Sequence, residues 1–258
     1  MRKTIELGGI SMKKVLLEIC CGSVDDVFQA KAAGADRVEL NSALFLGGLT
    51  PSIGAVLAAK DAGIPIMAMV RPREGGFCYT DREFEGMLRD VRAFVEAGVD
   101  GLVFGVLNPD GTVDIPRCRL LIEAAQGVET VFHRAMDVVP DWRAALDCLI
   151  DLGFTRVLTS GQAPSVLFGA STIREMIARA DGRIQILPGG GVRPANIGEV
   201  VEKLGCTQVH ASAGSRHTDT SCLGNPEIHF GGALYPPEDQ YSVTDPAKVR
   251  GLLSGLGR

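Results

Sequence analysis

The chain has 258 residues, 46% of them hydrophobic and 22% charged, enough apolar material for one large α/β core or two small ones. A net charge of −5 with scattered basic residues gives no electrostatic footprint for nucleic acid or for an acidic membrane surface. No apolar run approaches the roughly 18 residues of a membrane-spanning helix, and the opening MRKTIELGGISMKK lacks a signal-peptide core, so the expected location is cytoplasmic.

Met12, followed by two lysines just ahead of the first apolar run, marks residues 1–13 as an N-terminal extension to a single domain over 14–258. The first strand is predicted over 15–20 and its helix over 24–33. Alternate strand residues face opposite sides, so Val15, Leu17 and Ile19 turn toward the helices while Glu18 and Cys20 point inward. Cys20 and Cys21 then lie on opposite faces and cannot hold one ion together unless the backbone turns at Gly22, and a disulfide between neighbours would be strained. Taken alone, Cys20 is more often a buried small hydrophobe than a ligand. The second strand, 37–40, sends Val38 and Leu40 to the helices and Arg37, Glu39 and Asn41 inward, and a helix over 53–62 follows. The third, 66–70, ends in Arg71-Pro72-Arg73. A glycine-rich loop with the exposed thiol candidate Cys78 leads from it to a helix over 81–97.

A fourth strand over 101–105 is paired with a helix over 116–125. The fifth, 130–133, ends in His133-Arg134 with Asp137 close behind, before a helix over 142–152. The sixth, 156–158, runs into Thr159-Ser160-Gly161 and a helix over 172–180. The seventh, 184–187, meets Gly189-Gly190-Gly191 and a helix over 194–204. The eighth, 208–210, closes on His210, with Ser212-Ala213-Gly214 beyond. Gly214 to Val243 is predicted as a long irregular stretch, a loop over the top or an oligomer contact, before a last helix over 245–253; His217 and His229 within it read as surface residues. Gly34, Gly63, Gly98 and Gly153 stand just past helices, where a left-handed stop is needed. Eight strand–helix units over about 250 residues predict a TIM (β/α)8 barrel. The competing open, doubly wound sheet would carry G-x-G-x-x-G after its first strand, and this chain does not.

Barrels of this kind place their chemistry on the loops after the strands. The candidates there are Glu18, Glu39, Arg71, Arg73, His133, Arg134, Asp137 and His210 as acid–base and substrate-positioning groups. Gly190, Gly191, Ser212 and Ala213 are candidate backbone donors to an anion, in the loops where barrels commonly bind phosphate. Each has a plainer reading. The charges could form only an internal ion-pair network, His133 could be a core histidine satisfied by a carboxylate, and the glycines could make only a tight turn. So many buried charges carry a desolvation penalty that apolar packing would avoid, which favours a ligand site. Seven cysteines without C-x-x-C spacing suggest neither a disulfide framework nor a zinc knuckle.

The stretches LLEICC, GADRVEL, GGLTPSIG, MVRPREGGFCYTD, GLVFGVL, VFHRAMDV, FTRVLTSGQ, LPGGGVR and VHASA together resemble the CutC family, named for copper homeostasis. The resemblance runs over about residues 14–258, and RPR-x-G-x-F-x-Y and FHRA-x-D are its most specific motifs. It implies a cytoplasmic TIM barrel, a homodimer or homotetramer, that handles copper as Cu(I). In the family the proposed ligands are a cysteine in the first strand motif, matched by Cys20, and another just after the second, where this chain has Asn41. An asparagine oxygen is a poor ligand for Cu(I), so coordination by two thiolates would have to draw on Cys21 or Cys78. Two functions stay open. One is a copper homeostasis protein binding Cu(I) through Cys20. The other is a TIM-barrel enzyme with acid–base lyase, isomerase or hydrolase chemistry on a small anionic or phosphorylated polyhydroxy substrate.

Overall fold

Short β-branched runs between glycine-terminated amphipathic segments fold here into a ring of parallel strands wrapped by helices. The computed structural model describes residues 14–225, 227–229 and 237–258; the proposed extension over 1–13 lies outside the described residues. The strands are β1 (Leu16–Cys21), β2 (Arg37–Leu40), β3 (Ile66–Met69), β4 (Gly101–Phe104), β5 (Glu129–Phe132), β6 (Arg156–Thr159), β7 (Gln185–Pro188) and β8 (Gln208–Ala211). Neighbours pair in parallel in chain order, β1 also pairs with β8, and a parallel bridge between Gly189 and His210 brings β7 to β8, so the barrel is nearly closed. It is a TIM barrel in a single domain, as the eight-fold pattern predicts.

Around it lie α1 (Val24–Ala32), α2 (Ile53–Lys60), α3 (Asp81–Glu96), α4 (Ile115–Ala124), α5 (Trp142–Leu152), α6 (Ala170–Ala180), α7 (Ile197–Leu204) and α8 (Pro246–Gly255). Six of their starts are set by side chains that take up otherwise unpaired N–H groups: Ser23, Ser52, Asp114, Asp141 and Asp245, and Thr80 in a reciprocal capping box with Glu83. The helix predicted from 194 begins at Ile197 instead. The Asn196 side chain accepts from the Arg193 N–H and donates to the Gly191 carbonyl, which holds the preceding residues in a turn.

The stretch predicted as irregular contains an antiparallel ribbon, β9 (Gly214–Thr218) and β10 (Gln240–Thr244), registered Gly214 to Thr244 and Thr218 to Gln240. Asp26 of α1 accepts from the N–H groups of Gly22 and Thr244 and so ties the ribbon to the first helix. The ribbon carries mostly exposed polar side chains, so it lacks the apolar alternation by which a strand is read from sequence.

The main core lies between strands and helices and includes Leu17, Ile19, Cys21, Val38, Leu40, Phe104 and Phe132. Inside the barrel, Met67, Met69, Val103, Val131, Leu158 and Leu187 form a smaller apolar cluster on β3 to β7. The remaining wall, β1, β2 and β8, turns polar groups inward. That asymmetry places the site.

Candidate functional site at the barrel mouth

Strand parity holds: Cys21 packs in the outer core, while Glu18, Cys20, Glu39 and His210 face the lumen. The floor beneath them is a hydrogen-bonded belt. Arg37 Nη2 donates to Gln208 (3.0 Å), Gln208 donates to Gln185 (3.0 Å), and Arg156 donates to Gln185 (3.1 Å) and Glu129 (2.9 Å). Sequence reasoning did not include this belt in the site. Its members stand at the N-terminal ends of their strands, where residues are read as structural; their inward parity was the available signal.

Above the belt, Glu18 pairs with Arg37 and lies 2.7 Å from His210 Nδ1. Burial alone would raise the Glu18 carboxyl, but the His210 hydrogen bond and then the Arg37 charge outweigh it and hold the group at about 2. Burial works against the His210 cation as well. The charge of Glu39, with hydrogen bonds to Cys20 and Glu18, overcomes it and lifts His210 well above the usual imidazole range. Burial also pushes the Cys20 thiol up to about 11, with the Glu39 charge adding to it, and raises Glu39 itself. The Cys20 sulfur, the Glu39 carboxylate and a His210 ring nitrogen lie within 4.8 Å of one another. With Nδ1 engaged by Glu18, Nε2 is the ring nitrogen left for Cys20 and Glu39. Asn41 donates to Glu39 Oε1 at 2.9 Å, and its Nδ2 is 3.5 Å from the Cys20 sulfur. Gly48 makes room for this amide: a Cβ there would come within 2.4 Å of Asn41 Oδ1, and its φ of +87° suits glycine alone.

The other candidates fall into separate groups. Arg71 and His133 are buried beside Phe77, and burial, then the Arg71 charge, lowers His133 to about 3. Asp137 accepts from the Thr159 hydroxyl (2.5 Å), from Ser160 N–H (3.0 Å) and Gln162 N–H (3.2 Å), and pairs with Arg134 at 2.7 Å. It thereby organises the loop after β6. Arg134 also donates to Ser160 (2.8 Å) and lies beside Gly190, whose Cβ would be 3.7 Å from the guanidinium carbon. Gly190 and Gly191 have φ of +112° and +78°. Ser212 is exposed, and Ala213 is buried with its carbonyl accepting from Asp245 N–H. Arg73 does not join the lumen groups. It pairs with Glu83 at 2.6 Å at the start of α3, over the Tyr79 ring, and Cys78 is exposed in the same loop.

Five buried polar atoms find no hydrogen-bond partner among the described residues: Glu39 Oε2, Asn41 Oδ1, Arg71 Nε, Tyr79 OH and His133 Nε2. Glu39 belongs to β2, and the others to the segments that follow β2, β3 and β5, toward the mouth. Buried polar groups are nearly always paired, so this concentration points to a bound polar ligand. A thiol and an imidazole in reach of one another also fit a soft or borderline metal ion, with the harder Glu39 oxygen as an auxiliary donor.

Fold and site together define a single-domain TIM-barrel protein with a cluster of buried polar groups inside the C-terminal ends of its strands. The chain belongs to the CutC family, whose model matches residues 15–215. It is 53% identical over 246 residues to a family protein CutC of Treponema denticola, covering 95% of this chain and 100% of that one. It is 43% identical to the copper homeostasis protein cutC homolog of Homo sapiens, over 92% of this chain and 87% of that one. The crystal structure of CutC from Streptococcus agalactiae is 35% identical, with a TM-score of 0.73 over 76% of this chain and 98% of that one. Among the described residues no helix is long and apolar enough to cross a membrane.

Proposed function

We propose that this chain is a copper homeostasis protein that takes up one Cu(I) ion between Cys20 and His210, with Glu39 alongside. The observation that carries the reading is the approach of these three donors to within 4.8 Å of one another. The names of its relatives support the choice of metal. A cytoplasmic homodimer or homotetramer belongs to the same reading, and exposed apolar side chains on α1, on α2 and between β2 and α2, Phe28, Ile53, Leu57 and Phe45, support the assembly.

Titration of Cu(I) against a competing chelator tests it. Cys20→Ser is expected to weaken binding by roughly tenfold or more, because the soft ligand is lost. Equal affinity would remove Cys20 from the site. Asn41→Cys is expected to tighten binding, since Asn41 Nδ2 already lies 3.5 Å from the Cys20 sulfur; no change would argue against coordination by two thiolates.

A second reading is supported by the unpartnered Arg71 and His133 atoms. In it the barrel is an enzyme of lyase, isomerase or hydrolase type, acting on a small anionic or phosphorylated polyhydroxy substrate. Glu18, Glu39, Arg71, Arg73, His133, Arg134, Asp137 and His210 would be its working groups, and Gly190, Gly191, Ser212 and Ala213 an anion-holding rim. Mass spectrometry of metals and metabolites retained by the purified protein separates the two readings.

A further inference from the structure

We infer that Arg71 and His133, with Tyr79 beside them, form a receptor for the oxyanion end of a small organic acid, carboxylate or phosphate. The inference deepens the enzyme reading and rests on it for the ligand's fate. Binding itself is measured apart from turnover.

Arg71 is 7% exposed, and neutral carbonyls hold its guanidinium in place. Nη1 donates to Leu46 (3.0 Å) and Gly48 (3.1 Å), and Nη2 donates to Gly75 (2.8 Å). Among the described residues no carboxylate pairs with it. Peptide dipoles orient the group without cancelling its charge, and a buried cation lacking a counter-ion is unfavourable. Of its five N–H donors these use three, and Nε–H is among those left over, buried and without a partner. The chain keeps this geometry open at Gly47, where a Cβ would stand 3.2 Å from Nη1.

His133 supplies a second donor of a different kind. Its Nδ1 accepts from the Ala135 N–H at 3.2 Å, which puts the ring proton on Nε2, and that atom is buried and unpartnered. Held at about 3 by burial and by the Arg71 charge, the ring stays neutral and donates a hydrogen bond without competing for the anion's proton. A Cβ at position 105 would lie 2.6 Å from the imidazole, so Gly105 leaves the space the ring needs.

Phe77 brings the two together: the His133 ring centroid is 4.7 Å from that of Phe77, and the Arg71 guanidinium carbon is 5.3 Å from it. The Tyr79 hydroxyl, also buried and unpartnered, comes from the same loop. Three donors and one uncompensated positive charge call for a ligand that is anionic and rich in acceptor oxygens. A Cu(I) ion would be repelled by Arg71, so this ligand is distinct from the ion proposed for Cys20.

Isothermal titration and thermal shift on the full chain test the receptor, with inorganic phosphate, sulfate, glycolate, malate and glycerol 3-phosphate as probes. At least one probe is expected to bind the wild type. Arg71→Met should weaken that probe by roughly ten- to a hundredfold, as loss of a charged hydrogen bond does. His133→Phe, which keeps the aromatic bulk, should weaken it by about tenfold, and Cys20→Ser should leave it unchanged. If phosphate and glycerol 3-phosphate bind and the carboxylates do not, the oxyanion is a phosphate; the reverse pattern makes it a carboxylate. Should Arg71→Met fail to fold, Arg71→Lys keeps the charge without the planar donor and should still lose affinity. The inference is overturned if no probe binds the wild type, or if the foldable Arg71 variant and His133→Phe bind as the wild type does. A probe that binds with these variant effects and is returned chemically unchanged supports the receptor and counts against the enzyme reading alone.

Discussion

Glu18→Gln is expected to lower the free energy of unfolding by about 3–5 kcal/mol, the range for breaking one side of a buried ion pair. Glu18 is 1% exposed and is the carboxylate between Arg37 and His210. A neutral amide leaves those two groups facing each other as buried cations, with the charge of Arg156 also within range. Urea denaturation measures the loss, and a drop under about 1 kcal/mol would mean that the barrel interior screens these charges as water does. The double variant Glu18→Leu with Arg37→Leu should be less destabilised than Glu18→Gln, because removing both partners leaves only the His210 charge to be accommodated.

His133 is expected to weaken the fold in mild acid. Its folded value near 3 lies below the 6.5 of a free imidazole, so below pH 6.5 the unfolded chain takes up a proton that the folded chain refuses. Stability is fully present above pH 6.5 and falls with pH by about 1.4 kcal/mol per unit down to the folded value. Glu18, lowered from 4.5 to about 2, adds nothing to the slope above pH 4.5. His210, raised well above 6.5, loses its contribution only at higher pH. Glu39, raised, acts in the opposite direction, and for that reason the test is a difference. Between pH 6.5 and 4.5 the wild type should lose roughly 2–3 kcal/mol relative to His133→Phe. Parallel pH profiles would show that the His133 ring takes up its proton within the fold.

Both predictions concern residues that the sequence singled out, His133 by its place at the end of a strand and Glu18 by parity. Once Val38 and Leu40 are assigned to the helix side, Arg37, Glu39 and Asn41 must face the lumen, and the same count carries Glu18 and Cys20 inward. His210 follows because β8 pairs with β1, in the register Glu18 to His210. Parity says nothing about loops. Arg71 and Arg73 are two residues apart, yet one is locked by carbonyls of the segment after β2 and the other answers Glu83 in a helix cap. Which loop meets which is a matter of tertiary packing, and no spacing encodes it. The ribbon β9–β10 was illegible for a related reason. Its strands bury little, so their pairing leaves no hydrophobic period, and its tie to Asp26 spans 218 positions of the chain.

The belt of Arg37, Gln208, Gln185, Arg156 and Glu129 links the N-terminal ends of β2, β8, β7, β6 and β5 beneath the proposed metal donors. By strand register Cys20 stands level with Glu39 and Met67, and Arg71 lies four residues further along the β3 segment, toward the opening. If both proposed guests enter from the mouth, the last in is the first out. An ion seated at Cys20 and His210 beneath an anion on Arg71 and His133 could not depart until the upper guest had gone. The escape rate of the metal would then be set by the anion's residence time, whatever the strength of the metal's own bonds.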